Sequence, residues 1–406
     1  MSQAFGIGVM LGVAAVAAVA AVAAACTSVL GDFEVGGDGT GATGGSSACA
    51  TGTADCDGNP DDCEVDVSDD PQNCGACGTL CLDGGTCAAG ACSGAAEIAR
   101  GYPTPESPNA KFLVVYGGEV YWTAGEGQGG SVQKVSIHGG PVTTIAADQN
   151  APYGIAVNQK GVFWSNLNDT NILWKEHNAA STPKVVFDSD HATLGVAADE
   201  LDVFWAQRSG AIGAPGDGSL IGRIPMSDGR ADDEFHEDRD TSPHLIALDG
   251  EHVFWVDRRQ SGSVNRTSRR TGETIRLTEG AQVYPYAIAV DRDHVYWTNS
   301  PRGRDNDEPG AVMRAPKNGA RGMTVVWTPE QDDVQNSTLD CIAVDDNDDH
   351  VYWTDQGSSR VLRKRKSGPT KQEVLHEGGT PRGIALHGEY VYWVDEKTGA
   401  VRKLHR

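Results

Sequence analysis

Basic charge is scarce in this chain of 406 residues: 33 lysines and arginines face 56 aspartates and glutamates, a net charge of −23. Such a surface repels a nucleic-acid backbone and an anionic lipid face alike, so neither is an expected partner. The one basic run, "RVLRKRKSGPTK" at 360–371, reads as a solvated hairpin rather than a binding patch. Enzyme signatures are missing as well. There is no Gly-rich phosphate loop, no Gly-x-Ser-x-Gly elbow and no His-Glu-x-x-His helix. Large apolar side chains are nearly absent between 49 and 92, so that segment cannot build a core of its own.

What is there begins with an apolar stretch. The first 31 residues carry no charge, and Phe5 to Ala25 is rich in Ala, Val and Gly, ending in "AVAAAC" at Cys26. This is the pattern of a secretory h-region that closes on small residues. It resembles a bacterial lipoprotein signal, departing from it in the absence of Lys or Arg ahead of the run and in Ala23, where Leu is usual. The resemblance implies a signal at 1–25, acylation of Cys26, and export to the cell envelope with the lipid as the only membrane tie, an outer-membrane lipoprotein being expected. An ordinary cleaved signal and a retained anchor helix are the alternatives, the run being long enough to span a bilayer. All three put the rest of the chain outside the cytoplasm. Residues 26–48, mostly Gly, Ser, Thr and Ala, read as a flexible tether. Its random-coil reach is roughly 25 Å.

Cysteine usage agrees with export. Eight of the ten cysteines fall within 49–92: Cys49, Cys56, Cys63, Cys74, Cys77, Cys81, Cys87 and Cys92. In an exported chain this is a disulfide framework of four bridges, whose pairing sequence leaves open. "CGAC" at 74–77 has the spacing of a redox or zinc pair, but an oxidising compartment favours disulfides. The stretch "CDGNPDDCEVDVSDDPQNCGACGTLC" resembles a short cysteine-rich repeat of exported myxobacterial proteins.

From residue 95 a different pattern takes over. Val, then Tyr or Phe, then Trp recurs seven times, ending at Trp122, Trp164, Trp205, Trp255, Trp297, Trp353 and Trp393, at intervals of 42, 41, 50, 42, 56 and 40. Upstream of each Trp stands an apolar residue: Leu113, Ile155, Val196, Ile246, Ile288, Ile342 and Ile384. The gap is nine residues except in the sixth unit, where it is eleven. Four short strands every 40 to 50 residues is the signature of a β-propeller blade, so 95–406 is predicted to be an all-β, seven-bladed propeller of four-stranded blades behind a small disulfide-rich module. In a strand the Trp and the preceding aromatic point to opposite faces. A blade covered on both sides by neighbours wants that arrangement, and 14 of the 27 aromatics sit in these pairs, which makes them scaffold. The last unit lacks a fourth strand, so residues 96–101 are expected to supply the outermost strand of blade seven and close the ring. "YWTD" at 352–355, with "YWTN", "FWVD" and "YWVD" elsewhere, resembles the YWTD repeats of low-density-lipoprotein-receptor-type propellers. That family has six blades, so the resemblance is taken for blade geometry and implies nothing about partners.

The residue two before each aligned apolar position should line the channel mouth: Lys111, Tyr153, Leu194, His244, Tyr286, Asp340 and Arg382. Lys111, Tyr153, His244, Tyr286, Asp340 and Arg382 are the candidate ligand-binding residues. Gluconolactonase-type propellers hold a divalent cation with several converging oxygens, whereas this level offers one carboxylate, Asp340, beside Arg382. An ion pair is expected there, and no metal or cofactor. Virginiamycin B lyase, another seven-bladed propeller, works with a His and an acid, and His244 is the single ring histidine. Calcium is the one ion the acidic runs suggest. In "DCDGNPDDCE" oxygens alternate at Asp55, Asp57, Asn59 and Asp61, but Pro60 and Asp66 stand where an EF-hand needs Gly and Glu. "VDDNDDHV" at 344–351 reads as a solvated turn. Cys341 stands where other units place Gly154, Gly195, Ala287 or Gly383, and reads as small buried filler. The expectation is a monomeric, non-catalytic propeller that binds an extracellular or periplasmic protein or glycan. The alternative is a propeller lyase or lactonase-like hydrolase built around His244. The insertions at 206–222 and 299–311 are candidate contact loops.

Overall fold

The computed structural model describes residues 49–406 apart from 57–62, 64, 78, 82–84, 101–108, 178–179, 181, 209–218, 228, 279, 281, 301–309, 330–336 and 369. The expected signal, tether and Cys26 lie outside the described residues. So do most of the first calcium run and the centres of both insertions.

Seven antiparallel sheets follow one another round a ring, each traced from its inner strand outward. Blade one is Leu113–Tyr116, Glu119–Ala124, Gly130–Ser136 and Thr143–Gln149. Blades two to six repeat this, with inner strands Pro152–Asn158, Ala192–Ala198, Pro243–Leu248, Pro285–Val290 and Leu339–Val344. Each inner strand packs against the inner strands on either side, and the strand Pro381–His387 of blade seven meets Leu113–Tyr116 to complete the circle. The register matches the repeat. Leu113, Ile155, Val196, Ile246, Ile288, Ile342 and Ile384 each face the Trp of their own unit across the first hairpin. The two extra residues of the sixth unit are absorbed in the hairpin between these strands.

Packing follows from the alternation. All seven motif tryptophans are at most 1 % exposed, and the aromatics beside them at most 4 %. Each blade thus buries a ring on both faces, removing on the order of 150–250 Å² per ring from water. The third motif residue has a separate task. The Thr354 hydroxyl accepts the Cys341 N–H at 3.0 Å and donates to the Arg382 carbonyl of the next blade at 2.7 Å. Ser165 and Thr298 repeat this between blades two and three and between five and six. The fourth caps turns: Asp395 accepts the Thr380 N–H before the inner strand and the Thr398 N–H after its own.

Away from the channel mouth, at the hairpins joining first and second strands, neighbouring blades are clasped by ions. The residue just after a blade's third strand reaches back to the hairpin aspartate of the preceding blade. Arg269 pairs with Asp199 and Asp202, Lys317 with Asp249 at 3.1 Å, and Lys366 with Asp291 at 3.0 Å. Arg406 completes the series on Asp345 at 2.5 Å and Asp348 at 3.3 Å. The run at 344–351 is therefore one of these clasps and not the solvated turn its composition suggested. Its carboxylates also cap the N–H groups of Asn347 and His350.

Ring closure adds a strand that sequence did not foresee. Ala96–Arg100 pairs with Ala400–His405 as expected, but it is not outermost, because Leu80–Cys81 of the cysteine-rich module pairs with it as a fifth strand. Four disulfides hold that module: Cys49–Cys63, Cys56–Cys77, Cys74–Cys87 and Cys81–Cys92. The two cysteines of "CGAC" thus go to different partners. No helix among the described residues is long and apolar enough to cross a membrane.

Candidate functional site at the channel mouth

In blades two to seven the pairing of the first hairpin slips near the start of the inner strand, between Pro152 and Ile155 and at the equivalent places. The slipped positions hold the residues assigned to the ring. An irregularity of this kind bends the strand and re-aims its side chains. Close contact between blades is the other half of the geometry. A Cβ on Gly154 would lie 2.3 Å from the Leu194 carbonyl oxygen, and one on Gly195 2.8 Å from that of His244. Glycine there lets inner strands touch, so ring side chains converge.

Converge they do. The Tyr153 hydroxyl lies 3.3 Å from His244 Nε2 and 3.3 Å from the Tyr286 hydroxyl. Arg382 donates to the Tyr286 hydroxyl at 3.2 Å and forms ion pairs with Asp340, as foreseen, and with Glu396. Lys111 stands apart, 3.4 Å from Glu126 and over the Tyr153 ring at 5.8 Å. Tyr153, His244, Tyr286, Asp340 and Arg382 are at most 6 % exposed, and Lys111 9 %. Leu194, in the same ring, is buried too. The axis at this level is filled by the ring's own side chains.

Electrostatics reflects the crowding. Burial pushes the Tyr153 phenol well above its ordinary range, and nearby Tyr286 adds to this. For Arg382 burial pulls downward, but Asp340, Tyr286 and Glu396 outweigh it, so the guanidinium stays firmly charged. An arginine donates and never accepts. Arg258 Nη1, 3.2 Å from His244 Nε2, therefore needs the lone pair of that nitrogen.

Two partners were missed in the sequence, Arg258 and Glu396. Both stand three residues after the motif Trp, where the second strand ends beside the ring. Reading that position round the repeat gives Gly125, Leu167, Arg208, Arg258, Ser300, Gln356 and Glu396. Backbone bonds from Gly125 to Asn109, Arg258 to Ser242 and Glu396 to Thr380 place it at one level. Aligning only upstream of the Trp hid this second tier.

Cys341 corrects a further expectation. It is fully buried as expected, yet it is disulfide-bonded and so is not mere filler. The sulfurs of Cys74, Cys81 and Cys92 lie within 4.8 Å of one another, but each is committed to a bridge. They are a disulfide cluster.

No protein-family model matches the chain. Among solved structures it is similar to a streptogramin B lyase, at a TM-score of 0.60 and 14 % identity, over 77 % of this chain and 97 % of that one. It is similar also to a catalytically inactive virginiamycin B lyase from Staphylococcus aureus with quinupristin, at 0.59 and 15 %, over 75 % and 97 %. U3-55K matches at 0.56 and 13 %, over 77 % and 99 %. At these identities what is shared is the propeller fold, which hosts many unrelated functions.

Proposed function

We propose that this chain is an exported, lipid-anchored propeller that recognises a protein or glycan through the face carrying the channel mouth, and that it is not a catalyst. The observation that carries this reading is the engagement of His244. A general base must offer its lone pair to a substrate proton, and here a guanidinium already occupies Nε2. Asp340 and Glu396 are likewise committed to Arg382. The four disulfides of the module support export to an oxidising compartment. Acylation at Cys26 rests on the signal pattern alone.

The test pairs binding with turnover. The purified full chain is applied to a glycan array and, with Mg²⁺, incubated with a streptogramin B cyclic depsipeptide and a simple lactone. Binding weakened by Lys111→Glu, without turnover, is the expected result. Turnover abolished by His244→Ala would overturn the proposal in favour of the lyase or hydrolase reading.

A further inference from the structure

Blade seven differs from the others in its origin. Blades one to six are each built from one continuous stretch, whereas blade seven joins the two ends of the ring, Ala96–Arg100 lying on Ala400–His405. Noncovalent contacts hold this seam from the inside: the strand ladder, and Glu97 paired across it with Arg402 at 3.7 Å. An outermost strand held on one side is where a sheet opens most readily.

The cysteine-rich module grips that strand from the outside. Leu80 faces Glu97 and Cys81 faces Ala96. Just before them Thr79, 1 % exposed, donates its hydroxyl to the His138 carbonyl of blade one at 3.2 Å. Cys92 packs against the apolar cluster of Ile98, Trp122 and Tyr392 that lies between blades seven and one. The module thus touches both sides of the junction. A strand of two residues is too short to stay paired by its ladder alone. The Cys81–Cys92 bond ties it to the chain four residues before Ala96.

We propose that the module is a lock across the seam where the ring closes, and that the Cys81–Cys92 disulfide makes this lock breakable by a dithiol reductant. Cleavage transfers two electrons and two protons from the dithiol, which leaves as its own disulfide, and yields the Cys81 and Cys92 thiols. The freed strand then releases Ala96–Arg100, and the ring opens at one defined place.

Hydrogen exchange on the full chain, read by mass spectrometry, tests this. In the variant Cys81→Ser/Cys92→Ser, exchange in Ala96–Arg100 and Ala400–His405 is expected to quicken roughly 100-fold, the factor a disulfide of ordinary strength confers. The strands of blade four should keep the wild-type rate. Cys49→Ser/Cys63→Ser, which removes a bridge outside the seam, should leave these two strands protected. If it loosens them equally, the lock is not local and the proposal fails. Should the first variant not fold, reduction of the folded wild-type chain decides. Exchange quickening in these two strands supports the lock, and unchanged exchange once the Cys81 and Cys92 thiols have been alkylated overturns it.

Discussion

Replacing Lys366 with Met tests whether the ion clasps hold the blades together. Lys366 sits just past the third strand of blade six and reaches Asp291 of blade five at 3.0 Å, while its ammonium also donates to the Asp345 carbonyl at 2.6 Å. The side chains are 11 % and 9 % exposed, so the pair is screened little by solvent. Removing one partner of a buried pair costs about 3–5 kcal/mol. Asp291 keeps its bonds from the His294 N–H and the Tyr296 hydroxyl, so we expect the lower end, about 3 kcal/mol at pH 7. Acid should narrow the difference. Burial works to raise the Asp291 carboxyl, but Lys366 and the backbone donors outweigh it and hold it below its ordinary value of 3.8. A carboxyl depressed in the folded state stabilises above its unfolded value and loses that contribution as pH falls through the folded one. The wild-type advantage is therefore full at neutral pH and fades below about pH 4. Urea unfolding followed by tryptophan emission measures both points, with a lowered midpoint and an unchanged slope expected. A loss under about 0.5 kcal/mol at pH 7, or one that stays constant into acid, would refute the argument.

Other expectations follow from the same contacts. Thr354→Val strips the hydroxyl that joins the Cys341 N–H to the Arg382 carbonyl, and should cost about 1–3 kcal/mol in the same titration. Gly154→Ala drives a Cβ to 2.3 Å from the Leu194 carbonyl oxygen, and a loss of about 1–3 kcal/mol or more is expected. A neutral result would mean that the inner strands are free to move apart. Arg382→Met takes the Arg382 guanidinium away from the fully buried Asp340, at about 3–5 kcal/mol, and adding Asp340→Asn should recover most of it. Intact mass of membrane-extracted protein should show a diacylglyceryl thioether on Cys26 and four bridges in the module. An unmodified chain with a fifth bridge, to Cys341, would remove the lipid anchor.

Much of the ring was legible because packing repeats where sequence repeats. A blade buried on both faces needs an aromatic pair at a fixed distance from a small-residue inner strand. That need wrote itself into the chain seven times, in phase even where unit six carries two extra residues. The ring level was readable for the same reason, down to the ion pair of Asp340 with Arg382. What lay three residues past each Trp was missed: Arg258 and Glu396 stand at a fixed spacing too, but downstream of the Trp, where the turns differ from unit to unit and only the fold brings them beside the ring. The second acidic run misled because a carboxylate in a turn has one composition whether it faces water or Arg406 of the next blade.

Sequence alone thus determined the architecture, the blade count, the chain segment that closes the ring and the oxidising chemistry of the module, since each depends on local patterns of burial or on cysteine density. Tertiary structure decided which cysteines pair, that the module becomes a fifth strand on blade seven, and that His244 meets Arg258. Those outcomes depend on groups far apart in the chain being brought within a few ångströms, and only the closed ring sets these distances.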